Sequence, residues 1–156
     1  METTKNKTTL LIMAAGMGSR FGSLKQLALL GPHKKTLLHY SIYDAVHAGF
    51  DKIVFIIRRS FENEFKEAVG KYAESLVETV YCFQEMDQLP GNLPPIQREK
   101  PWGTAHAIWA AKDHIHEPFI AINADDFYGR DAFVKMHDFV ASNTDERCFS
   151  LAGYRV

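Results

Sequence analysis

Three glycines, Gly16, Gly18 and Gly22, fall within seven residues directly behind a short apolar run, and Arg20 and Lys25 share the same stretch, Ala14–Lys25. Glycine lets backbone N–H groups turn toward a ligand and approach it closely, and consecutive N–H groups cradle phosphate oxygens. Arg20 can fork onto a phosphate, and Lys25 can act on one as a point charge. A hundred residues later, Asp125 is the first charge after the apolar run Phe119–Asn123. One or two carboxylates plus phosphate oxygens are what Mg²⁺ accepts. Asp126 and Asp131 bracket the turn into a helix, and aspartate serves turns and caps well. Two common phosphate patterns do not fit. The dinucleotide pattern needs glycine where Phe21 stands, with Gly22 one residue late, and the strand ending in Arg58-Arg59 lacks an acidic ribose ligand. Those two arginines suit a 2′-phosphate, so an NADP-dependent oxidoreductase stays as an alternative. No Gly-Lys-Ser/Thr occurs, so the P-loop pattern is absent.

The elements that must position these residues can be read along the chain. Thr8–Ala14, Lys52–Ile57, Glu78–Phe83, Phe119–Asn123 and Phe149–Tyr154 read as strands, and KIVFII at 52–57 reads as one buried on both faces. Thr36–Ala48 reads as a helix capped by Thr36 and stopped at Gly49, with Leu38, Ile42, Ala45 and Val46 at helical spacing. Ser60–Tyr72 reads as a helix capped by Ser60, with Phe61, Phe65, Val69 and Tyr72 on one stripe. Thr104–His114, capped by Thr104, and Asp131–Ser142 complete the helices, and Gln84–Gly103 is a proline-bearing loop. This alternation predicts an α/β fold, a Rossmann-like doubly wound and mostly parallel sheet covered on both faces. Right-handed crossovers give a strand order beginning 3-2-1-4. The loops after strands 1 and 4 then flank the topological switch point, where such sheets bind ligands. They are Ala14–Lys25 and Ala124–Gly129, the two stretches singled out above.

Composition excludes several other classes. The 156 residues suit one domain, with 46% hydrophobic and 24% charged residues. Net charge is −1, so no global field recruits nucleic acid or an anionic membrane. Residues 1–35 nevertheless hold six Lys/Arg against one Glu. No apolar run approaches the roughly 20 residues of a membrane span, and the polar N-terminus has no secretory pattern. Cys82 and Cys148 are too few for a disulfide framework and read as reduced thiols packed in or near strands. A soluble, cytoplasmic protein is expected. His106, His114, His116 and His137 do not read as metal ligands, and Glu62, Glu64 and Glu67 read as a solvated face.

Four motifs in order resemble the sugar-1-phosphate nucleotidylyltransferases, or NDP-sugar pyrophosphorylases. Ala14-Ala-Gly-Met-Gly-Ser-Arg20 with Lys25-Gln26 looks like the family's signature loop, and residues 38–50 look like its first helix. Gln84-Glu85 ends strand 3 as in members that read the base there. Lys100-Pro-Trp-Gly-Thr-Ala-His-Ala107 is similar to the family's Pro-Leu-Gly-Thr-Ala segment, and Ile122–Gly129 to its acidic metal motif. The resemblance implies a fold of the nucleotide-diphospho-sugar transferase type and a Mg²⁺-dependent reaction of an NTP with a sugar 1-phosphate. It implies Arg20 on the leaving phosphates and Lys25 on the α-phosphate. It also implies Asp125 as metal ligand, and base and ribose contacts from Ala14, Ala15, Gly16, Gly18, Gln84, Gly103 and Thr104, with Trp102 as a lid. Departures are Ala15 where Gly-Gly is frequent and Leu24 where proline often precedes the lysine. The Ala-Ala-Gly form is similar to cytidylyltransferases acting on small alcohol phosphates, a second alternative. A non-catalytic nucleotide-binding regulatory domain is a third, since fold does not fix function. The family usually runs longer. Residues 1–156 therefore read as the nucleotide-binding N-terminal part of such a domain or as a natural short form; in the first case the part alone is expected to turn over poorly and to be open to homo-oligomerisation through an uncovered core face.

Overall fold

A computed structural model describes residues 7–16, 30, 32, 35–91, 93–94 and 102–154. Four parallel strands, β1 (Thr9–Met13), β2 (Lys52–Ile57), β3 (Glu78–Phe83) and β4 (Phe119–Asn123), form one sheet in the order β3-β2-β1-β4. That is the expected order, and it puts the switch point between β1 and β4. β2 is buried at every position, as its uninterrupted apolar sequence requires of a central strand.

Helix α1 (Leu37–Ala48) follows Thr36 in extended conformation and ends at Gly49, whose φ of 112° lies in the left-handed region that glycine adopts without strain. It buries Leu38, Ile42 and Ala45 against the sheet. After β2 the chain is helical from residue 59 to residue 74, but not as one regular helix. A 3₁₀ turn at Arg59–Phe61 leads into α2 (Glu62–Phe65), a π-helical stretch at Lys66–Gly70 and α3 (Lys71–Glu74). Ser60 lies inside the 3₁₀ turn and does not cap a helix, contrary to the sequence expectation. The stripe itself is correct, with Phe65 and Val69 buried and Phe61 and Tyr72 packed beside them. Gly70 is needed for space. A Cβ there would stand 2.2 Å from Tyr81 Oη, which donates to Glu74 at 2.6 Å.

Helix α4 spans only Thr104–Trp109, with Gly103 in extended conformation as its N-cap. Thr104 is the first helical residue rather than the cap, because the first helical bond runs from Ala107 N–H to the Gly103 carbonyl at 3.2 Å. Beyond Trp109 the chain tightens into i→i+3 turns, so His114 lies in a turn and not in the predicted longer helix. Helix α5 spans Arg130–Ser142.

α1, α2, α3 and α5 share one face of the sheet in a continuous core that includes Leu10, Ile12, Phe55, Phe65 and Phe133. On the other face, Ala107 of α4 and Ala111 in the turns behind it pack against Leu11, Ala15, Val54 and Ile56. α4 does not reach across β4, whose Phe119, Ala121 and Asn123 stay exposed. The predicted fifth strand is not formed. Residues 149–154 pair with no strand, Phe149 and Leu151 are 90% and 100% exposed, and Tyr154 Oη donates to the Tyr128 carbonyl at 3.1 Å. β4 is an edge strand, so an edge is open; residues 150–154 instead lie beside α5, lining a cavity with Asp131, Lys135 and Phe139. Cys148 is exposed outside any strand, against expectation, whereas Cys82 is buried and its thiol is pushed up to about 11 by that burial. Among the described residues no helix is long and apolar enough to cross a membrane.

Candidate functional site

Parallel pairing brings the carboxyl ends of all four strands to one edge of the sheet. Met13 pairs with Asn123, and Ala124 N–H donates to the Met13 carbonyl at 3.2 Å. Ala15 and Asp125, each two residues further on, therefore leave neighbouring strands at the same edge. On the other side of β1, Ala14 N–H donates to Ile56 at 2.8 Å, and Gln84 N–H to Ile57 at 2.9 Å. Ala14 and Ala15 are buried and Gly16 is exposed, so the chain rises out of the core into solvent at that point.

Asp125 is exposed and makes no hydrogen bond or ion pair with the described residues. Asp126 is engaged in the turn. Its Oδ2 accepts from Asn123 Nδ2 at 2.8 Å and from Tyr128 Oη at 3.3 Å, and Asn123 N–H donates to Tyr128 Oη at 2.9 Å. Burial, with Asp126 alongside, holds the Tyr128 phenol above its usual range, so it stays a hydroxyl.

Gln84 is 7% exposed and faces the start of α4. Its Nε2 donates to the Trp102 carbonyl at 3.0 Å and to the Gly103 carbonyl at 3.3 Å, and lies 3.2 Å from His106 Nδ1. His106 Nε2 bonds the Gln88 carbonyl, and the Trp102 indole N–H donates to the Met86 carbonyl at 3.0 Å. Gln84–Gln88 and Trp102–His106 are thus laced together. Beside them lies a cleft of ≈ 390 Å³ lined by Arg58, Ser60, Gln84, Glu85, Met86, Asp87 and Trp102. Arg59 stacks over Phe83 at 3.9 Å, and its backbone N–H donates to Glu85 at 3.1 Å. A second cavity, ≈ 480 Å³, runs along α5, bounded by Tyr128, Lys135, Phe139, Leu151 and Tyr154 among others.

Of the residues selected from the sequence, Ala14, Ala15, Gly16, Gln84, Gly103, Thr104 and Asp125 all lie along this one edge. Gly18, Arg20 and Lys25 lie outside the described residues. Trp102 acts as a strut between two loop segments. The sequence reading passed over His106, although its place two residues after Thr104 in the Gly103-Thr-Ala-His segment was a usable signal.

The sequence model of the nucleotidyl transferase family matches residues 9–155. A UTP–glucose-1-phosphate uridylyltransferase of Bacillus subtilis is 28% identical over 130 residues, covering 74% of this chain and 43% of that protein. The bifunctional protein GlmU of Staphylococcus haemolyticus is 30% identical over 107 residues, covering 69% of this chain and 19% of that protein. The chain therefore spans less than half the length of either relative. Among solved structures, a UDP-glucose pyrophosphorylase complexed with UDP-glucose superposes with a TM-score of 0.54 at 19% identity, over 85% of this chain and 53% of that one. A 4-diphosphocytidyl-2C-methyl-D-erythritol synthase from Anaerococcus prevotii superposes with a TM-score of 0.58 at 14% identity, over 89% of this chain and 52% of that one. These likenesses show a shared fold, and the match over residues 9–155 shows more: the chain belongs to the nucleotidyl transferase family.

Proposed function

We propose that this chain supplies the nucleotide-binding part of an enzyme that joins an NTP to a sugar 1-phosphate, giving an NDP-sugar and pyrophosphate. The observation that supports this most is the placement of Ala14–Gly16 and Asp125 on neighbouring strands at the switch point, with Gln84 and Gly103 along the same edge. An oxygen of the sugar phosphate attacks the α-phosphorus, and the bond to the β-phosphate breaks with its electron pair leaving on pyrophosphate. Both reactants are anions, so the protein has to supply alignment and positive charge rather than a covalent nucleophile. Backbone N–H groups after β1 hold phosphate oxygens, Arg20 the leaving phosphates, and Lys25 the α-phosphate and the incoming one. Each such contact carries about 3–4 kcal/mol of transition-state stabilisation.

Asp125 is the carboxylate suited to Mg²⁺. It is exposed and unengaged by the described residues, whereas Asp126 is taken up by Asn123 and Tyr128. Among the described residues no three His, Cys, Asp or Glu side chains cluster as a cage, and Asp125 is the side chain there that would hold the ion beside the phosphate oxygens. When bound, Mg²⁺ neutralises charge on the triphosphate.

The test has two parts. Each Mg-NTP is added to the chain, and its melting temperature is followed. One NTP should raise it, by about 2.7 kcal/mol of stabilisation at a hundredfold excess over Kd. Pyrophosphate release is then measured on the protein containing this chain, with sugar 1-phosphates and small alcohol phosphates as acceptors. Turnover with a sugar 1-phosphate supports the proposal. Turnover with CTP and an alcohol phosphate alone redirects it to the cytidylyl alternative. No stabilisation by any NTP contradicts it.

A further inference from the structure

We infer that His106 is a positioning residue that fixes the orientation of the Gln84 carboxamide, and that it does so only as the neutral Nε2–H tautomer. The inference rests on the nucleotide reading of this edge for its functional meaning, but its chemistry follows from hydrogen-bond polarity alone.

The Gln88 carbonyl beside His106 Nε2 can only accept, so Nε2 carries a proton. A neutral ring then leaves Nδ1 bare, and Nδ1 accepts from Gln84 Nε2 at 3.2 Å. The same Nε2 faces two further acceptors, the Trp102 and Gly103 carbonyls. All three acceptors demand the amide nitrogen on this side and share its two hydrogens. Gln84 Oε1 is left over, without a hydrogen bond to the described residues, on a side chain that lines the cleft with Arg58 and Trp102. An amide held this way offers an acceptor and reads a donor: the imide N–H of a pyrimidine or an exocyclic amine of a base. Its own donors are consumed.

Protonation breaks the arrangement in either direction. Nδ1–H would confront the Gln84 amide hydrogens, donor against donor. Flipping the amide would satisfy the imidazolium but set Oε1 against two carbonyls. No orientation of Gln84 serves a doubly protonated His106. Among the described residues, the charged side chains on the segments next to His106 are Glu85 and Asp87 between Gln84 and Gln88, Arg58 across the cleft, and Lys112, 5.5 Å from the Trp109 ring that itself lies 5.5 Å from His106. β1, on which α4 packs, brings no charged side chain among its residues Thr9–Met13.

Two measurements test this. In the ligand-free chain, ¹⁵N NMR of the His106 ring at neutral pH should show Nε2 protonated and Nδ1 bare. A proton on Nδ1 overturns the inference whether or not any nucleotide binds. The second measurement compares Mg-NTP affinity in the wild type, His106→Asn and His106→Ala across acidic to neutral pH. Asparagine keeps an acceptor near the Nδ1 position and does not titrate. It should hold affinity within about threefold and remove the one-proton weakening that acidification produces in the wild type. Alanine should weaken binding about tenfold at neutral pH, the equivalent of roughly one hydrogen bond to an unpaired group. Affinities indifferent to all three proteins and to pH overturn the positioning role alone. Nucleotide binding by none of them overturns the functional reading, and the tautomer measurement still decides the geometry.

Discussion

The two edges of the sheet are both polar, yet they differ in how completely their polar groups are used. At the amino edge, Lys52 Nζ meets the His114 carbonyl and Glu117 Oε1, the latter at 3.0 Å. The Thr9 hydroxyl donates to the same carboxylate, and Asp51 Oδ2 takes the Thr8 backbone and hydroxyl. The Lys52 and Glu117 side chains are only 11% and 18% exposed. At the carboxyl edge, Asp125 is exposed with no partner among the described residues, and the well-bonded groups there, Gln84 and His106, hold loops in place. A saturated charge cluster anchors structure, whereas an available charge at a strand end is free to meet a ligand. The contrast predicts that substitutions at the first edge change stability and those at the second change binding.

The largest expected effect is on the amino edge. Glu117→Ala strands a mostly buried ammonium and should cost about 3 kcal/mol, seen as a fall of about 6–12 °C in thermal melting. Nucleotide affinity of the folded protein should be unchanged, and a loss of affinity with no loss of stability would invert the comparison. The same carboxylate gives a pH signature. Burial pushes Glu117 up, but hydrogen bonds from Thr9, Lys52 and the His116 backbone, with the Lys52 charge, outweigh it and hold the carboxyl down at about 2. A folded-state value below the unfolded one contributes stability that is complete above about 4.5 and lost as pH falls toward 2. Urea titrations should show this acid loss in the wild type and a shallower one in Glu117→Ala. Next comes Asp125→Asn, which should lower turnover at least a hundredfold, about 2.7 kcal/mol in the barrier, while moving melting by no more than about 2 °C. Full turnover in that variant contradicts the metal role. The smallest effect is at the solvated pair Lys135–Asp131, whose side chains are 75% and 80% exposed. Lys135→Ala should leave both melting and binding unchanged within about 1 °C and twofold.

Much of this frame is legible in the sequence because it rests on local signals. KIVFII and FIAIN announce their strands, Gly49 its helix end, and the jump from β3 to β4 the switch point. What stayed hidden depends on groups distant along the chain. Lys52 and Glu117 are 65 residues apart, and Gln84 and His106 are 22 apart, so neither pairing has a local pattern. The Ser60 cap failed because the turn after β2 begins as 3₁₀, and the π-helical stretch that follows ends where Gly70 makes room for the Tyr81 hydroxyl. The fifth strand failed because residue types at 149–154 report what a strand would look like, not where the segment docks: it lies beside α5 rather than along the open edge of β4.

The most direct test of the assignment is amide chemical-shift mapping of the chain titrated with Mg-NTP. Perturbation is expected at Ala14–Gly16, Gln84, Gly103–Thr104 and Asp125, with Thr8, Lys52 and Glu117 at the opposite edge silent. Shifts centred on the Lys52–Glu117 cluster, or none at the β1–β4 boundary, would contradict it.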